Sequence, residues 1–454
     1  TGFYCGRRKE SRLASDLHMA ANGFSASSPP RVVVVGSGFA GLETAFNLRA
    51  QLGERAAISL VSDQDHFYFK PNSLYIPFGL DPHKLRIPLE RPTKRKGIEL
   101  VRARAHGVDT GARRVETDAG PLDFDYLVLA TGSGMRAEEV PGLAENAIST
   151  WSAQDMLALR AAFDHLLETS GEGGRRRVLF LVPPNNMCAG PLYEIVLMYE
   201  TWLRRRRSRA AVEISWATCE QSFIAAFGPR LHDVVADEFE QRGIRGQTGQ
   251  VVSEVGENEV RFAGGESLGF DLLVSFPPYV ASTEFPGLPA SDRGFLDTDL
   301  ASREVVGNPG IYAVGDAGDF PVKQAFLAFL QADAAAAHIA AQIGGEDAEG
   351  TFDPVSMCVM EQFDKATFAQ VPLQLTGDPD HPVEVRAGAG DDYIVGSSPG
   401  WRLGKKMLAV SVPFRFRNGE PFHAGAFWGA MDLGLQGMSR LLATSGPAET
   451  QRRP

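Results

Sequence analysis

Cysteine is scarce in this chain: four residues in 454, at Cys5, Cys188, Cys219 and Cys358. So sparse a set excludes a disulfide scaffold. With no CxxC pair, neither a zinc ribbon nor a thioredoxin-like couple is indicated. The nine histidines show no metal-ligand spacing, so no metal site is expected. Positive charge is also short. A formal net charge of −11 argues against nucleic acid as a main partner. The one basic run, Arg204 to Arg209, falls at the end of an expected helix, where cations suit the dipole. Long apolar runs are missing too: no stretch of 18 or more apolar residues occurs, which argues against a spanning helix. Position 1 is not Met, and no signal-peptide core follows Met19. Residues 1–30 read as an unstructured tail, partly foreign to the natural protein, with Met19 as the natural start and Cys5 irrelevant.

What is present points to an α/β protein. The content is 44% hydrophobic and 22% charged, ordinary for a soluble globular chain, and the length suits two or three domains. The 48 glycines suit several tight nucleotide turns. Arg31 to Val35 is a buried-strand signal, followed by Gly36, Gly38 and Gly41 in GxGxxG register. A helix is expected from about Leu42 to Leu52, then a strand to Val61. Asp63 lies 22 positions past Gly41, where a carboxylate can hold a ribose hydroxyl. Two further strands end in small-residue turns, at Thr131-Gly132 and at Gly315-Asp316, the latter followed by an alanine-rich helix.

A second unit opens like the first and then departs from it. Val178 to Val182 is a strand signal, and a helix is expected to run to about Arg204. The turn between them, PPNNMCAG, holds one glycine, Gly190, and so has lost the grip on a pyrophosphate and gained a thiol. Cys188 lies just before the helix, with Pro191 as its first residue, where exposed N–H groups favour a thiolate. Taken alone it reads equally as a small buried cysteine in a turn. A strand at Val212 to Thr218 and a helix near Arg230 to Arg242 follow, with Cys219 read as buried and structural. The C-terminal piece carries Cys358, a polar Gly/Asp-rich loop at 377–399, and an apolar-basic end. There Phe427, Met431, Leu435, Met438 and Leu442 share a helical face, with Asp432, Gln436 and Ser439 off it. That helix either packs on the body or lies in a membrane interface with Lys405, Lys406, Arg415 and Arg417 near headgroups.

From residue 31 to about 443 the chain resembles the sulfide:quinone oxidoreductases and the flavoprotein subunit of flavocytochrome c sulfide dehydrogenase. The resemblance is carried by VSDQDHFYFKPNSLYIPFG, by CAGPLYE (Cys188 to Glu194), by FPVKQA with Lys323, by MCVMEQFD with Cys358, and by KKMLAVSVPFRFRNGEPF. Trp151 stands where many quinone-linked members carry a third cysteine, and Asp155 and Ala226 stand near positions that often hold histidine. FYFKPNSLY has no cysteine to tether a flavin.

The resemblance implies two Rossmann-like (FAD/NAD(P)-type) domains plus a C-terminal domain with amphipathic helices. Their bounds are 31–148 with 290–350 for FAD, 149–289 for the second unit and 351–454 for the C-terminal piece. It implies FAD held non-covalently by Gly36, Gly38, Gly41, Asp63, Thr131, Gly132, Asp316 and Lys323, with Asp316 on the ribityl chain. It implies a redox disulfide between Cys188 and Cys358, 170 positions apart. Cys188 would carry a persulfide and Cys358 would face the flavin. Glu194 is a general base if burial raises its pKa, and otherwise a surface carboxylate. Lys323 stabilises reduced flavin, or is simply solvated. Sulfide or a small thiol is the expected donor and a quinone the acceptor, with a cytochrome partner as the alternative. NAD(P)H is not expected. Peripheral attachment to the cytoplasmic membrane is expected, its side and any homo-oligomer left open.

Overall fold

The structure of the protein, a computed structural model, describes residues 28–169, 174–347 and 350–442, so Cys5 and Met19 lie outside it. Strand β1 (Arg31–Val35) is a valine run buried after its first residue, as strands covered on both faces are. Helix α1 (Phe39–Leu52) starts three residues before the expected Leu42, because Gly38 is its cap and Gly41 already sits in the first turn. Strand β2 (Ala57–Ser62) pairs parallel to β1. With Glu99–Arg102, Tyr126–Leu129 and Ile311–Ala313 they make a five-stranded parallel sheet. Its order is 311–313, 126–129, β1, β2, 99–102. The order reverses between β1 and 126–129, and ligands of such sheets bind outside the strand ends at that switch.

The second sheet repeats the plan. Strand β3 (Arg176–Val182) pairs parallel to β4 (Val212–Thr218), with helix α2 (Gly190–Arg205) between them in sequence. The order is 148–149, 272–275, β3, β4, 244–247, all parallel. Its switch lies between β3 and 272–275, so the Cys188 turn and the segment from Phe276 share one mouth. An antiparallel pair, Ser133–Met135 with Tyr279–Ala281, ties the two sheets together.

Helix α3 (Ala325–Gly344) packs along α1. By length and composition alone it is apolar enough to cross a membrane, although Gln331, Asp333, His338 and Gln342 interrupt its apolar run. Half of it is buried in the molecule, as in the core helix of a globular protein. Strand β5 (Val355–Glu361) carries Cys358 and pairs antiparallel with Ala366–Leu375. The stretch expected as a loop at 377–399 instead contributes two strands, Val383–Val385 and Ile394–Ser398, to the same strand system.

The chain then closes with α4 (Trp401–Arg417) and α5 (Gly425–Leu442). Trp401 stacks on Phe368 at 4.1 Å, and Met431, Leu435, Met438 and Leu442 pack around that pair. Phe427 joins the core beside α1 and α3. The apolar stripe of α5 therefore faces the body, and Ser439, expected off that face, is buried. Of the four cations expected near headgroups, only Lys406 and Arg417 are exposed. Lys405 is buried, and Arg415 turns in to the carbonyl of Pro421.

Candidate active site

At the first switch the glycines divide the work. A Cβ on Gly36 (φ +109°) would lie 2.2 Å from the carbonyl oxygen of Ala130, and one on Gly41 would lie 1.9 Å from that of Gly36. Only hydrogen fits there. Gly38 faces nothing within 4 Å, on the open side of a helix start with no acidic residue and no side-chain cap. Free N–H groups, an unblocked approach and the positive dipole end are what a pyrophosphate requires. Asp63 follows β2, solvent-exposed and 3.1 Å from Arg104. Gly132 is left-handed (φ +79°) with open space beside it, and the Thr131 carbonyl accepts from the Ser282 hydroxyl at 2.6 Å. Asp316 accepts from the Ser133 hydroxyl at 3.0 Å. The set fits a flavin dinucleotide. Lys323 is not solvated: it is buried, donates to the Gly318 carbonyl and lies 3.8 Å over the Phe295 ring. Burial lowers its pKa to about 8 against the pull of Asp316 and Asp319.

The second switch is filled by its own side chains. Asn185 is left-handed (φ +62°), and its carbonyl accepts from the Tyr279 N–H at 2.9 Å. Asn186 donates to the Phe276 carbonyl at 2.7 Å and accepts from the Cys188 N–H at 3.0 Å. The Met187 carbonyl accepts from the Lys323 N–H at 3.1 Å. Pro191 is the second helical residue, not the first, because α2 begins at Gly190. Cys188 and Cys358 are both free thiols packed against one hydrophobic cluster, and charge on Cys358 is felt at Cys188. The helix start does not make Cys188 acidic. Burial pushes its thiol up, and Cys358 adds to that. Burial likewise pushes Cys358 up to about 12, with Glu194 adding and Lys405 opposing. Desolvation of a thiolate here exceeds what one helix dipole returns. Cys219, read as buried and structural, is half-buried as the other two are, and burial pushes its thiol up to about 12.

Glu194 is no surface carboxylate. It is buried, ion-paired to Lys405 of α4, and accepts from the Glu361 N–H at 2.8 Å. Lys405 also donates to the Val359 carbonyl at 3.0 Å. Burial raises the Glu194 pKa, and Lys405 holds it back. Alongside, Glu361 accepts from Arg402 at 2.8 Å and from the Tyr75 hydroxyl at 3.1 Å. Helix α4 thus reaches through to the cysteine strand and the cysteine helix at once. Asp155, which stands near a position that often holds histidine in the resembled family, closes a capping box with Ser152.

Three features escaped the sequence reading. Lys70 lies 2.9 Å over the Trp151 ring. Glu220 stands just past β4, as Asp63 stands just past β2, yet it turns inward. It accepts from the Thr218 hydroxyl at 2.9 Å and the Ala225 N–H at 3.0 Å, and from the Tyr193 hydroxyl at 3.3 Å. The matching offset was a signal available in the sequence. Finally, Leu403, Met407, Val410 and Phe414 form an exposed stripe on α4, at helical spacing within a segment read only for its charges.

Two parallel switch-point sheets with a filled second turn define the class of fold: two dinucleotide-type domains in one chain. Residues 30–166 match the pyridine nucleotide-disulphide oxidoreductase family. In sequence the chain is similar to the sulfide-quinone reductase of Aquifex aeolicus, 27% identical over 61% of this chain and 64% of that protein. It is also similar to the mitochondrial sulfide:quinone oxidoreductase of Dictyostelium discoideum, 22% identical over 65% of this chain and 66% of that one. These matches therefore span just under two thirds of each relative. A type II NADH:quinone oxidoreductase of Staphylococcus epidermidis is 28% identical over 30% of this chain and 34% of its own. Among solved structures, the Aquifex aeolicus sulfide:quinone oxidoreductase superposes with a TM-score of 0.76 at 21% identity, covering 90% of this chain and 96% of that one. The NDH2 of Plasmodium falciparum gives 0.63 at 14% identity, covering 86% and 96%. The sequence comparison supports the resemblance to sulfide:quinone oxidoreductases, and the structural one shows the fold in common.

Proposed function

We propose that this protein is an FAD-dependent oxidoreductase that oxidises sulfide at Cys188 and Cys358 and passes the electrons to a quinone. The observation that carries the reading is the second switch. Two thiols from distant parts of the chain share one buried cluster where a nucleotide turn would otherwise be. In the oxidised protein they form a disulfide. Hydrosulfide attacks the Cys188 sulfur, a new S–S bond forms and the old one breaks. The sulfide sulfur loses two electrons, and the pair leaves on Cys358 as a thiolate. The proton of the resulting persulfide passes to Glu194, whose buried carboxylate has a raised affinity for it. FAD, bound non-covalently at Gly36, Gly38, Gly41, Asp63, Thr131, Gly132 and Asp316, supplies the two-electron acceptor. Lys323 contributes a buried positive charge beside Asp316.

NAD(P)H is not a donor in this reading. Asn186 takes the turn's N–H, Glu220 is turned into the core, and Glu139 is held by Arg293 at 2.8 Å and by Asn185 at 3.3 Å across the same mouth. The exposed stripe of α4, with the flanking Lys406 and Arg417, is the face that lies against a membrane surface as a peripheral contact. That face favours a quinone over a cytochrome. Anaerobic sulfide should bleach the flavin, and a short-chain quinone should restore it faster than cytochrome c. A flavin unmoved by sulfide removes the proposal, and faster recovery with cytochrome c replaces the acceptor.

A further inference from the structure

Residues 84–95 turn their apolar side chains in and their cations out. Over 84–89 the two alternate: Leu85, Ile87 and Leu89 are buried, while Lys84, Arg86 and Pro88 are exposed. The short helix Glu90–Arg95 then buries Pro92 and Thr93 and exposes Arg91, Lys94 and Arg95. The next cation, Lys96, is paired to Glu420, but among the described residues none of these five is ion-paired. The basic run at 204–209 differs, since Glu200 and Asp364 answer Arg204, and Glu200 answers Arg209. In a chain of net charge −11, the cations of 84–95 are therefore a local surplus. They border α4. Ile87 and Leu89 share a core cluster with Val412 and Phe416 of that helix. Arg95 donates to the Asn418 side-chain oxygen at 3.0 Å, and the Asn418 amide donates to the Phe414 carbonyl at 2.8 Å. Phe414 belongs to the exposed apolar stripe, so the cations rim its C-terminal end beside the exposed Arg417. An open cleft of about 550 Å³ lies among them, lined by Pro88, Glu90, Arg91, Lys94 and Arg95.

We propose that this basic edge binds the headgroup phosphates of anionic phospholipids, with the cleft at Arg91, Lys94 and Arg95 taking one phosphate while the α4 stripe enters the apolar layer. This deepens the peripheral contact proposed for α4 and rests on it. The chemistry selects the partner. Cations at the rim of an apolar helical face meet headgroups at the depth where that face meets acyl chains. Two of the three cations in the cleft are arginines, whose planar fork matches phosphate oxygens. A phosphodiester carries one charge and a free phosphate about two at neutral pH, and Glu90 in the lining weighs against the second. Nucleic acid would meet the same cations, but it gains nothing from an exposed apolar stripe and is repelled by the net charge of the chain.

The test is co-sedimentation of the full-length, FAD-loaded protein with vesicles. Phosphatidylcholine alone is compared with phosphatidylcholine holding phosphatidylglycerol at about one lipid in three. Binding should be stronger to the anionic vesicles, and the gain should vanish at about 0.5 M salt, where screening shortens to a few ångström. Arg91→Gln/Lys94→Gln/Arg95→Gln should lower the anionic partition about a hundredfold, about fivefold per cation, with the neutral partition, FAD content and sulfide bleaching unchanged. Because Arg95 also holds Asn418, Lys84→Gln/Arg86→Gln serves as a second variant free of that bond, with an expected loss of about 25-fold. Equal binding to the two vesicles overturns the headgroup site and leaves the stripe standing, whereas binding to neither overturns both. Parent-like anionic binding by either variant overturns the headgroup site as well. Tighter binding to a DNA duplex than to anionic vesicles, or release from them by inorganic phosphate at constant ionic strength, gives the cations another partner and removes the proposal.

Discussion

Replacing Lys405 with methionine removes the cation facing Glu194 and leaves that carboxylate with one donor, the Glu361 N–H. A buried charge so left takes up a proton instead. The penalty is then capped by the work of protonating it. Against an ordinary value near 4.3, that is about 3.7 kcal/mol at pH 7, within the roughly 3–5 kcal/mol range for breaking buried pairs. The sign with pH follows. Burial already raises the Glu194 pKa, and loss of Lys405 raises it further. The deficit is therefore full above the folded value and disappears as pH falls toward the unfolded one, by about 1.4 kcal/mol per unit.

Because Lys405 belongs to α4 and donates to the Val359 carbonyl as well, the loss should appear as local opening of α4 and β5. Hydrogen exchange on the FAD-loaded protein reads this directly. Corrected for intrinsic rates, Trp401–Arg417 should exchange a few hundredfold faster at pH 7, and close to the parent rate near pH 4.5. The double variant Glu194→Gln/Lys405→Met carries no buried charge and should return to within about 1 kcal/mol of the parent. Exchange within threefold of the parent at pH 7, or a deficit indifferent to pH, refutes this account of the pair.

Cys188→Ser and Cys358→Ser should each lose most sulfide-driven flavin bleaching with FAD content unchanged. The double variant should be little worse than either, and Cys219→Ser near the parent; normal turnover by Cys358→Ser would falsify the paired mechanism. NADH should leave the flavin oxidised in stopped-flow mixing, and rapid bleaching at micromolar NADH sinks that claim. Deleting 405–443 is not a clean test of membrane contact, since it removes Lys405 and the α5 stripe from the body. Polar substitution at Leu403, Met407, Val410 and Phe414 is cleaner. It should lower liposome co-sedimentation and quinone reduction while sparing sulfide bleaching, and unchanged co-sedimentation rules the stripe out. Gly41→Ala, whose Cβ meets the Gly36 carbonyl, should abolish FAD binding, whereas Gly38→Ala should keep the fold and weaken FAD; equal retention of FAD by both would contradict the division between them.

How far the sequence is legible depends on whether a signal is local. The valine run of β1, the GxGxxG spacing and the two-proline turn before Cys188 each speak through a few neighbouring residues, and each lies where such residues must lie. The misreadings share another cause. A positive charge in a list of basic residues says nothing of which way its helix is turned. Lys405 and Lys406 are adjacent, yet one is buried against Glu194, 211 positions away, and the other is exposed. The same rotation of α4 that buries Lys405 turns Leu403, Met407, Val410 and Phe414 outward. Periodicity alone left open whether the regular stripe of α5 packs on the body or lies in a membrane interface, and α5 uses it to cover Trp401 and Phe368. A stripe shows that a face is apolar and not what covers it. The thiol pKa values carry the same lesson: a helix start is visible in sequence, but the burial that outweighs it is a sum over residues from α2, β5 and α4 that only the fold assembles. The ion pair of Lys405 with Glu194 and that of Arg402 with Glu361 tie α2, β5 and α4 together, so the rotation of α4 and the environment of the two cysteines are set in common.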